Sequence, residues 1–313
     1  MKVEKFNIDY PREPIMSAIS IQKGPIQLAG LLFTPTTSSD KTPALIIVHP
    51  GGGVKEQTAQ VYAKKLATHG FTVVCYDASY QGESGGEPRF LEDPNERVAD
   101  VYAVIDYLQK DESVDAESIG VVGICAGGGY AVAATKADHR LKAVAAISMV
   151  NIGDSARQGW YGDEDSGKNT KLLEQAAAQI TAEAQGAERA TGPYVPPQLD
   201  DKTPYDLKEA HDYYLGPRAQ HPRAKNTMLF LSFPRVITFD AFHLAESFLT
   251  QPALLIAGEK AGSLWHTEKL HKILDGKSKK VILSNATHMD LYDKEEFVEP
   301  AVKNVAEFMQ ANL

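Results

Sequence analysis

The sequence predicts an α/β protein with a mostly parallel eight-stranded sheet, helices on both faces and an inserted helical cap. Short apolar runs alternate with stretches of helical period through the first half of the chain and again near its end, which is typical of parallel sheets. The alternation stops for about a hundred residues between these parts, which indicates an insertion. The 313 residues fit one large α/β domain or two smaller domains.

The first two strands are predicted to form an antiparallel hairpin at the edge of the sheet. Ile15–Ile21 and Ile26–Phe33 are short β-like runs on either side of Lys23-Gly24-Pro25. A short turn of this kind joins neighbouring antiparallel strands, and otherwise parallel sheets often carry an antiparallel edge.

The remaining strands and helices follow from the apolar pattern. Short apolar runs predict buried strands at Ala44–Val48, Phe71–Tyr76, Ser118–Val122, Ala143–Met149, Ala253–Ala257 and Lys280–Leu283. Apolar residues at a helical period, or runs of small helix-forming residues, predict helices around Val61–Leu66 and over Arg97–Leu108, Ala126–Lys136, Thr267–Leu274 and Glu296–Met309. Together with the hairpin, these runs give the eight strands of the predicted sheet.

Residues 152–250 form the predicted cap. They contain no buried-strand run, but they include helix formers over Lys171–Ala187 and a proline-rich stretch over Thr191–Pro204. Such a segment is too long for one connection in a compact domain. We therefore expect a core domain of residues 1–151 and 251–313, with residues 152–250 inserted as a mostly helical lid.

The composition excludes several classes of protein. With 43% hydrophobic and 23% charged residues, the chain is neither disordered, collagen-like nor a coiled coil. Its net charge of −9 and the lack of a Lys/Arg-rich run argue against a general nucleic-acid partner. We find no motif for a metal or a nucleotide cofactor. The expected partner is a small molecule, and a homo-oligomer remains open.

The cysteine count and the apolar runs predict a cytoplasmic protein. Cys75 and Cys125 are too few for a disulfide framework, so reduced thiols are expected. No apolar segment typical of a signal peptide follows the first residues, and no run reaches the roughly 18 apolar residues of a membrane span.

The strongest chemical motif is Gly123-Ile124-Cys125-Ala126-Gly127. It lies between a predicted strand and a predicted helix, which is the context of a nucleophile elbow, with cysteine where serine is commoner. Side chains at Gly123 and Gly127 would collide with neighbouring backbone on such a strained turn. The helix N-terminus is expected to favour a thiolate at Cys125, because free N–H groups and partial positive charge gather there.

A second motif, His49-Pro50-Gly51-Gly52-Gly53, follows the strand Ala44–Val48 and is close to the HGGG loop that accompanies the nucleophile elbow. Glycines let backbone N–H groups approach a developing oxyanion. The predicted oxyanion hole combines the Ala126 N–H with a donor from Gly52, Gly53 or Val54, and the sequence does not choose among these three.

A histidine after the last strand is the expected general base. His288 stands in Ala286-Thr287-His288-Met289-Asp290, just after Lys280–Leu283, which is where the base belongs in the order nucleophile, acid, base.

The acid of the predicted triad is less well defined. The turn after Ala253–Ala257 reads Gly258-Glu259-Lys260-Ala261-Gly262-Ser263 and has Ala261 where an aspartate is common. Glu259 is the nearest carboxylate and the expected acid. Asp154 is the alternative, because an acid can also follow the strand Ala143–Met149. Asp77 and Asp290 are further candidates.

With these motifs the chain resembles the α/β-hydrolase superfamily over nearly its whole length, apart from about 152–250. Within it, the chain looks most like the capped branch related to dienelactone-hydrolase-like enzymes and to fungal polyketide transferases and thiohydrolases. The stretches that carry this resemblance are His49–Glu56, Asp77–Arg89 and Gly123–Tyr130. The resemblance implies a Cys or Ser nucleophile, a His base and acyl-enzyme chemistry without a cofactor. The loop Gln81–Arg89 is expected to shape the fold rather than to touch substrate.

The predicted reaction is acyl transfer through Cys125. A cysteine nucleophile suits thioesters, lactones and activated esters better than amides, because the acyl-thiol intermediate is close in energy to a thioester. Aromatic residues of the cap are expected to line an apolar acyl pocket or to form the cap's own core: Trp160, Tyr194, Tyr205, Tyr213, Tyr214, Phe230, Phe233, Phe239, Phe242 and Phe248.

Three functions stay open from the sequence. The first is hydrolysis of an ester, lactone or thioester. The second is acyl transfer from a thioester donor to an alcohol, which uses the same residues. The third is ligand binding by a catalytically silent protein of this fold, which the missing aspartate would allow.

Overall fold

The computed structural model describes residues 13–36 and 41–313, and a central sheet of eight strands organises them. The strands are β1 (Ile15–Lys23), β2 (Ile26–Thr34), β3 (Thr42–Val48), β4 (Thr72–Tyr76), β5 (Val114–Ile124), β6 (Leu141–Ile147), β7 (Ala253–Gly258) and β8 (Lys279–Leu283). Their order across the sheet is β1-β2-β4-β3-β5-β6-β7-β8. β3 to β8 run parallel, and β2 is antiparallel to both of its neighbours, β1 and β4. The predicted mostly parallel sheet and its edge hairpin are confirmed.

Helices cover both faces of the sheet. The helices of the regular α/β pattern are α1 (Thr58–Ala67), α2 (Pro94–Leu108), α3 (Ala126–Ala137), α9 (Leu264–Ile273), α10 (Asp290–Asp293) and α11 (Glu295–Asn312). α2, α3 and α9 bury their apolar side chains on one face of the sheet, whereas α1 and α11 do so on the other. Because side chains of a strand alternate between faces, neighbouring residues such as Leu45 and Ile46 belong to different cores.

Residues 152–250 connect β6 to β7, which are neighbours in the sheet. This segment contains α4 (Ile152–Gln158), α5 (Asn169–Ala184), α6 (Tyr205–Leu215), α7 (Ser232–Thr238) and α8 (Ala245–Phe248). A short antiparallel ladder also pairs Thr191–Gly192 with Met228–Leu229. Helices cover just under half of the segment, which is less than the mostly helical lid expected from the sequence, because proline-rich and glycine-containing loops separate them.

The carboxyl ends of the parallel strands bring the predicted site residues to one edge of the sheet. Cys125 follows β5, Gly51 follows β3 and His288 follows β8. Ligands bind at this edge in open α/β sheets. Within residues 13–36 and 41–313, no helix is both long enough and apolar enough to cross a membrane.

Candidate active site

Cys125 lies on a sharp turn between β5 and α3. Its φ of 56° is in the left-handed region, which is uncommon for a residue with a side chain and costs conformational energy. A Cβ atom at Gly127 would lie 2.1 Å from the Val48 carbonyl oxygen, and one at Gly123 would lie 2.2 Å from the Gly127 carbonyl oxygen. The turn therefore needs glycine at both positions, as the motif predicts.

Two backbone N–H groups near the Cys125 thiol lower its pKa. One belongs to Ala126, the first residue of α3, and agrees with the predicted oxyanion hole. The other belongs to Gly51 rather than to Gly52, Gly53 or Val54. These two donors flank the place where an oxyanion on a bound carbonyl would form.

Two of the three predicted oxyanion donors are used inside the glycine loop. The Gly53 N–H donates to the Pro50 carbonyl at 3.2 Å, and the Val54 N–H donates to Oε1 of Gln57 at 3.1 Å. Gly52 makes neither of these bonds and stays a predicted donor, and Gly51 is a further candidate that the sequence did not select.

The Cys125 thiol is not a resting thiolate. Burial raises its pKa above the ordinary value, and the neighbouring Tyr292, Ala126 and Gly51 oppose this rise without cancelling it. The Ala126 N–H at the helix N-terminus lowers the pKa in the expected direction, but the desolvation of the sulfur outweighs it, so the expected thiolate does not result. Any reaction of Cys125 as a thiolate would therefore begin with the loss of this proton.

A tyrosine lies between the His288 ring and the Cys125 thiol. His288 Nε2 lies 3.2 Å from the Tyr292 hydroxyl oxygen, and the same hydroxyl lies near the Cys125 thiol and lowers its pKa. Burial lowers the pKa of His288 to about 4, although the negative charge of Asp206 opposes this effect. The imidazole is therefore neutral at neutral pH and able to accept a proton.

Ser263 takes the place expected for the acid of the triad. Its hydroxyl oxygen lies 2.6 Å from His288 Nδ1. It ends the Gly258–Ser263 turn after β7, in which the sequence predicts a carboxylate. Tyr292, His288 and Ser263 are thus joined by hydrogen-bond contacts beside Cys125, and no carboxylate hydrogen-bonds to the imidazole ring.

None of the predicted acids contacts the His288 ring. Glu259 is exposed and accepts a hydrogen bond from the Asn285 N–H at 2.9 Å, because the turn after β7 directs it to the surface. Asp154 is buried but forms ion pairs with Arg157 and Lys269 at 2.8 and 2.7 Å.

The two further candidates are also occupied elsewhere. Asp77 pairs with Lys55 at 2.9 Å, and Asp290 pairs with Lys294 at 2.5 Å. Asp290 also accepts a hydrogen bond from the Thr287 N–H. Each candidate acid thus has a partner of its own.

Asp206 is a buried carboxylate whose negative charge raises the pKa of His288, and sequence reasoning missed it. It lies in the first turn of α6 and is 3% exposed. One carboxylate oxygen lies 3.4 Å from the His288 backbone nitrogen. The other accepts hydrogen bonds from the Trp160 indole N–H and the Gly262 N–H, both at 2.7 Å. No motif marks Asp206 in the sequence.

A cavity of about 320 Å³ opens onto Cys125 and His288. Most of its remaining wall is apolar and comes from Val150, Ile152, Trp160, Val195, Leu207, Ala210 and Met289. Three tyrosines, Tyr194, Tyr214 and Tyr292, add ring faces with a polar tip. The volume is at the small end of the range for ligand sites.

Three of the ten aromatics expected in an acyl pocket line this cavity: Trp160, Tyr194 and Tyr214. The other seven lie elsewhere. Tyr213 packs edge-on against Tyr292, Phe230 packs against Phe233, Phe239 packs against Tyr130, Phe242 is buried, and Tyr205 and Phe248 are exposed.

A buried ion pair supports the glycine loop. Arg97 of α2 donates to the His49 carbonyl at 2.6 Å and lies 3.5 Å from Glu92. Glu92 also accepts a hydrogen bond from the Tyr194 hydroxyl at 2.7 Å. Arg97 of α2 therefore holds the glycine loop on one side, and the ring of Tyr194 covers it on the other.

The loop Gln81–Arg89 has the structural role expected for it. The Arg89 guanidinium donates to the carbonyls of Gly82 and Ser84, and the Ser84 hydroxyl donates to the Asp77 carbonyl at 2.6 Å. These bonds close the turn after β4 upon itself.

The strand order, the strained turn at Cys125 and the histidine after the last strand define an α/β-hydrolase. More narrowly, the chain belongs to the family described as X-Pro dipeptidyl-peptidase (S15 family), whose sequence profile matches residues 23–290.

Several proteins resemble this chain in sequence. YcjY of Escherichia coli (strain K12) is 42% identical over 92% of this chain and 95% of its own length. PA2218 of Pseudomonas aeruginosa is 34% identical over 86% of this chain and 73% of its own length. Thiohydrolase aneE of Aspergillus aculeatus is 30% identical over 39% of this chain and 37% of its own length.

Solved structures show the same fold. The crystal structure of PA2218 superposes with a TM-score of 0.90 at 29% identity, covering 100% of this chain and 99% of the other. The α/β-hydrolase GrgF of Penicillium sp. sh18 superposes with a TM-score of 0.78 at 20% identity, covering 95% and 99%. The predicted fold and superfamily are confirmed.

Proposed function

We propose that this protein cleaves small thioesters, lactones or activated esters through an acyl-enzyme on Cys125. The observation that carries the proposal is the position of the thiol. It lies on a small apolar cavity near the Ala126 and Gly51 N–H groups, and the Tyr292 hydroxyl stands between it and His288. Nucleophile, oxyanion donors and base thus converge on one cavity.

The first step transfers a proton along the hydrogen-bonded chain. As the sulfur attacks the acyl carbon, the thiol proton passes to the Tyr292 oxygen and the tyrosine's own proton passes to Nε2 of His288. The carbonyl electron pair moves to the oxygen, which the Gly51 and Ala126 N–H groups receive. Collapse of this intermediate restores the carbonyl and expels the leaving group, which takes a proton back from His288.

The second step returns the enzyme to its resting state. Water gives a proton to His288 and attacks the thioester carbon, so that the C–S bond breaks and the acid leaves. The sulfur regains its proton along the Tyr292 path. Removal of a single oxyanion donor from such a site typically costs about 10²–10³ in rate.

The site favours substrates that carry a good leaving group. Ser263, a neutral hydroxyl, faces His288 Nδ1 where a carboxylate would otherwise stabilise the imidazolium. As leaving groups, a thiolate and an activated lactone oxygen need less proton donation from a protonated histidine than an amide nitrogen does. The relative aneE is a thiohydrolase by name, which supports the thioester class.

The experiment is a turnover panel of acyl-thioesters, lactones and p-nitrophenyl esters from C2 to C12 with wild type, Cys125→Ala and Cys75→Ala. We expect turnover of short acyl groups that falls toward C12, because the cavity has only about 320 Å³. Cys125→Ala should abolish turnover, and intact-mass analysis should show one acyl adduct on wild type. Cys75→Ala is the matched control, because Cys75 is fully buried in β4.

The alternatives give different results in the same panel. An acyltransferase shows the mass adduct but needs an added alcohol for multiple turnovers. A ligand-binding protein shows neither adduct nor turnover, and its ligand affinity survives Cys125→Ala. Equal turnover by wild type and Cys125→Ala rejects the acyl-enzyme on Cys125.

A further inference from the structure

We propose that Asp206, which the inserted segment 152–250 carries, supplies the negative charge that balances His288 when the histidine holds a proton. Ser263 occupies the place of the usual acid but cannot carry this charge. The inference rests on the proposed function, because it concerns the same base. Asp206 acts through His288 and is therefore a positioning residue rather than a catalytic one.

The carboxylate is held at the base by donors from three parts of the chain. The Trp160 indole and the Gly262 backbone each donate at 2.7 Å, and the His288 backbone nitrogen lies at 3.4 Å. Trp160 also packs edge-on against the His288 ring, with ring centroids 5.0 Å apart. Asp206 is thus fixed near His288, on the wall of the same cavity.

No cation neutralises this carboxylate within residues 13–36 and 41–313. All its donors are uncharged N–H groups, and none of the ion pairs in those residues includes Asp206. Asp154 is equally buried in the same segment, but Arg157 and Lys269 both pair with it. The negative charge of Asp206 is therefore available to its surroundings, whereas that of Asp154 is cancelled.

The other titratable groups that face His288 do not supply a negative charge. His266 of α9 is neutral, because burial lowers its pKa to about 3. Tyr292 of α10 keeps its proton, because burial raises its pKa. Burial likewise raises the pKa of the Cys125 thiol, and Arg97 adds a positive charge on that side. Asp206 in α6 opposes the effect of burial on the pKa of His288.

A consequence is that the base is complete only while the inserted segment is seated on the core. Asp206 and Trp160 both belong to the segment, whereas Ser263, Gly262 and His288 belong to the part of the chain after it. Displacement of α6 would remove the balancing charge together with one wall of the cavity.

The test measures alkylation of Cys125 by iodoacetamide at pH 7, which requires the thiol to give its proton to His288. We expect Asp206→Asn to slow alkylation by about tenfold, since a nearby opposite charge typically shifts a pKa by roughly one to three units. Adding Ser263→Asp should restore most of the rate, because the new carboxylate contacts Nδ1 directly. A purely structural role for Asp206 predicts no such rescue.

The controls separate charge from packing and from the second thiol. Asp154→Asn removes a buried carboxylate of the same segment that is already paired, and it should leave the alkylation rate unchanged. Cys125→Ala measures any background reaction at Cys75. Asp206→Ser provides a second neutral variant whose hydroxyl can still accept from Trp160 or Gly262, in case the asparagine variant folds poorly.

The outcomes also distinguish this inference from the proposed function. Alkylation needs no acyl substrate, so it reports on Asp206 whether or not the turnover panel succeeds. Wild-type alkylation rates in a folded Asp206→Asn or Asp206→Ser variant overturn the inference. So does a slowed variant with a native circular dichroism spectrum that Ser263→Asp fails to rescue.

Discussion

The two halves of the candidate site are built in different ways. The nucleophile half, made of Cys125, Ala126 and Gly51, depends on backbone geometry: a strained turn, close glycines and two N–H donors. The base half, made of His288, Ser263 and Asp206, depends on side chains from three separate parts of the chain. Backbone-built features need particular residues at adjacent positions, whereas side-chain contacts can be supplied from anywhere that the fold brings close.

The largest effect is expected from a change to the backbone of the nucleophile half. Gly127→Ala places a Cβ atom 2.1 Å from the Val48 carbonyl oxygen, so the turn or β3 must move. We expect a loss of more than about 3 kcal/mol in the free energy of unfolding, measured by denaturant titration. Gly192→Ala is the control, because the nearest atom lies 4.0 Å away, and its cost should stay within about 0.5 kcal/mol. A Gly127→Ala protein of wild-type stability would contradict a backbone-built elbow.

The hydroxyl that joins the two halves gives the next largest effect. Tyr292→Phe breaks the path between Cys125 and His288 while it keeps the ring packed. We expect a fall of about 10² in kcat/KM, the lower end of what general acid–base catalysis contributes. Tyr76→Phe is the matched control, because Tyr76 is an equally buried tyrosine whose hydroxyl has no hydrogen-bond partner in the described part of the chain. Unchanged kinetics in Tyr292→Phe would mean that His288 reaches the thiol without it.

Two buried histidines, His288 of the base half and its neighbour His266, should make the folded state less stable at acidic pH. Burial lowers the pKa of His288 to about 4 and that of His266 to about 3, whereas an unfolded histidine titrates near 6.5. Below about pH 6.5 the unfolded state therefore binds more protons, and each histidine costs about 1.4 kcal/mol of stability per pH unit until its folded pKa is reached. His266→Phe should reduce this slope between pH 6 and 4 by one histidine, measured by denaturant titration at each pH. Replacement of the exposed His139 by Asn is the control, and a slope that His266→Phe leaves intact would argue against a buried neutral ring.

The smallest effect is expected at the acid that the sequence predicts. Glu259→Gln keeps an oxygen that can accept from the Asn285 N–H and removes no contact with His288. The free energy of unfolding should stay within about 0.5 kcal/mol of wild type, and kcat/KM should not change. Ser263→Ala, measured alongside, should lower kcat/KM because it removes the partner of Nδ1. A tenfold loss in Glu259→Gln would return the acid to the predicted position.

Most of the fold could be predicted because buried strands of a parallel sheet are short apolar runs. The main error in the sheet concerns the start of β5, which extends back to Val114 although the sequence indicates Ser118. Val114 pairs with Thr42 of β3, and the polar residues Asp115–Glu117 that follow conceal this pairing from an apolar pattern. Tertiary pairing thus lengthens a strand beyond what its own residues indicate.

The site could be predicted only where its chemistry is local. Cys125, Ala126 and His288 follow from motifs and do meet at one cavity. Gly51 could not be picked as an oxyanion donor from the sequence, because the pick depends on which N–H groups donate inside the loop. That in turn depends on the backbone dihedral angles of the loop. Whether the thiol keeps its proton also depends on burial, and an argument from the helix dipole alone leaves burial out.

The acid could not be predicted for a different reason. A search for a carboxylate passes over Ser263 because serine is uncharged, although it lies in the expected turn. Asp206 stands in a segment without periodic apolar patterning, far from His288 in sequence. Its position at the base arises only when α6 packs over the turn after β7.

The pairing of β6 with β7 affects which insertions and deletions the fold can accept during evolution. Ile147 and Ile256 are register partners, so the sheet closes a loop of roughly a hundred residues. The entropy of closing a loop grows only logarithmically, and even a doubling of its length costs about 0.6 kcal/mol. Insertions and deletions in 152–250 therefore cost little free energy in forming the sheet, although that segment shapes the cavity and carries Asp206. Substrate range and the proton affinity of the base can then change together while the core strands stay constant.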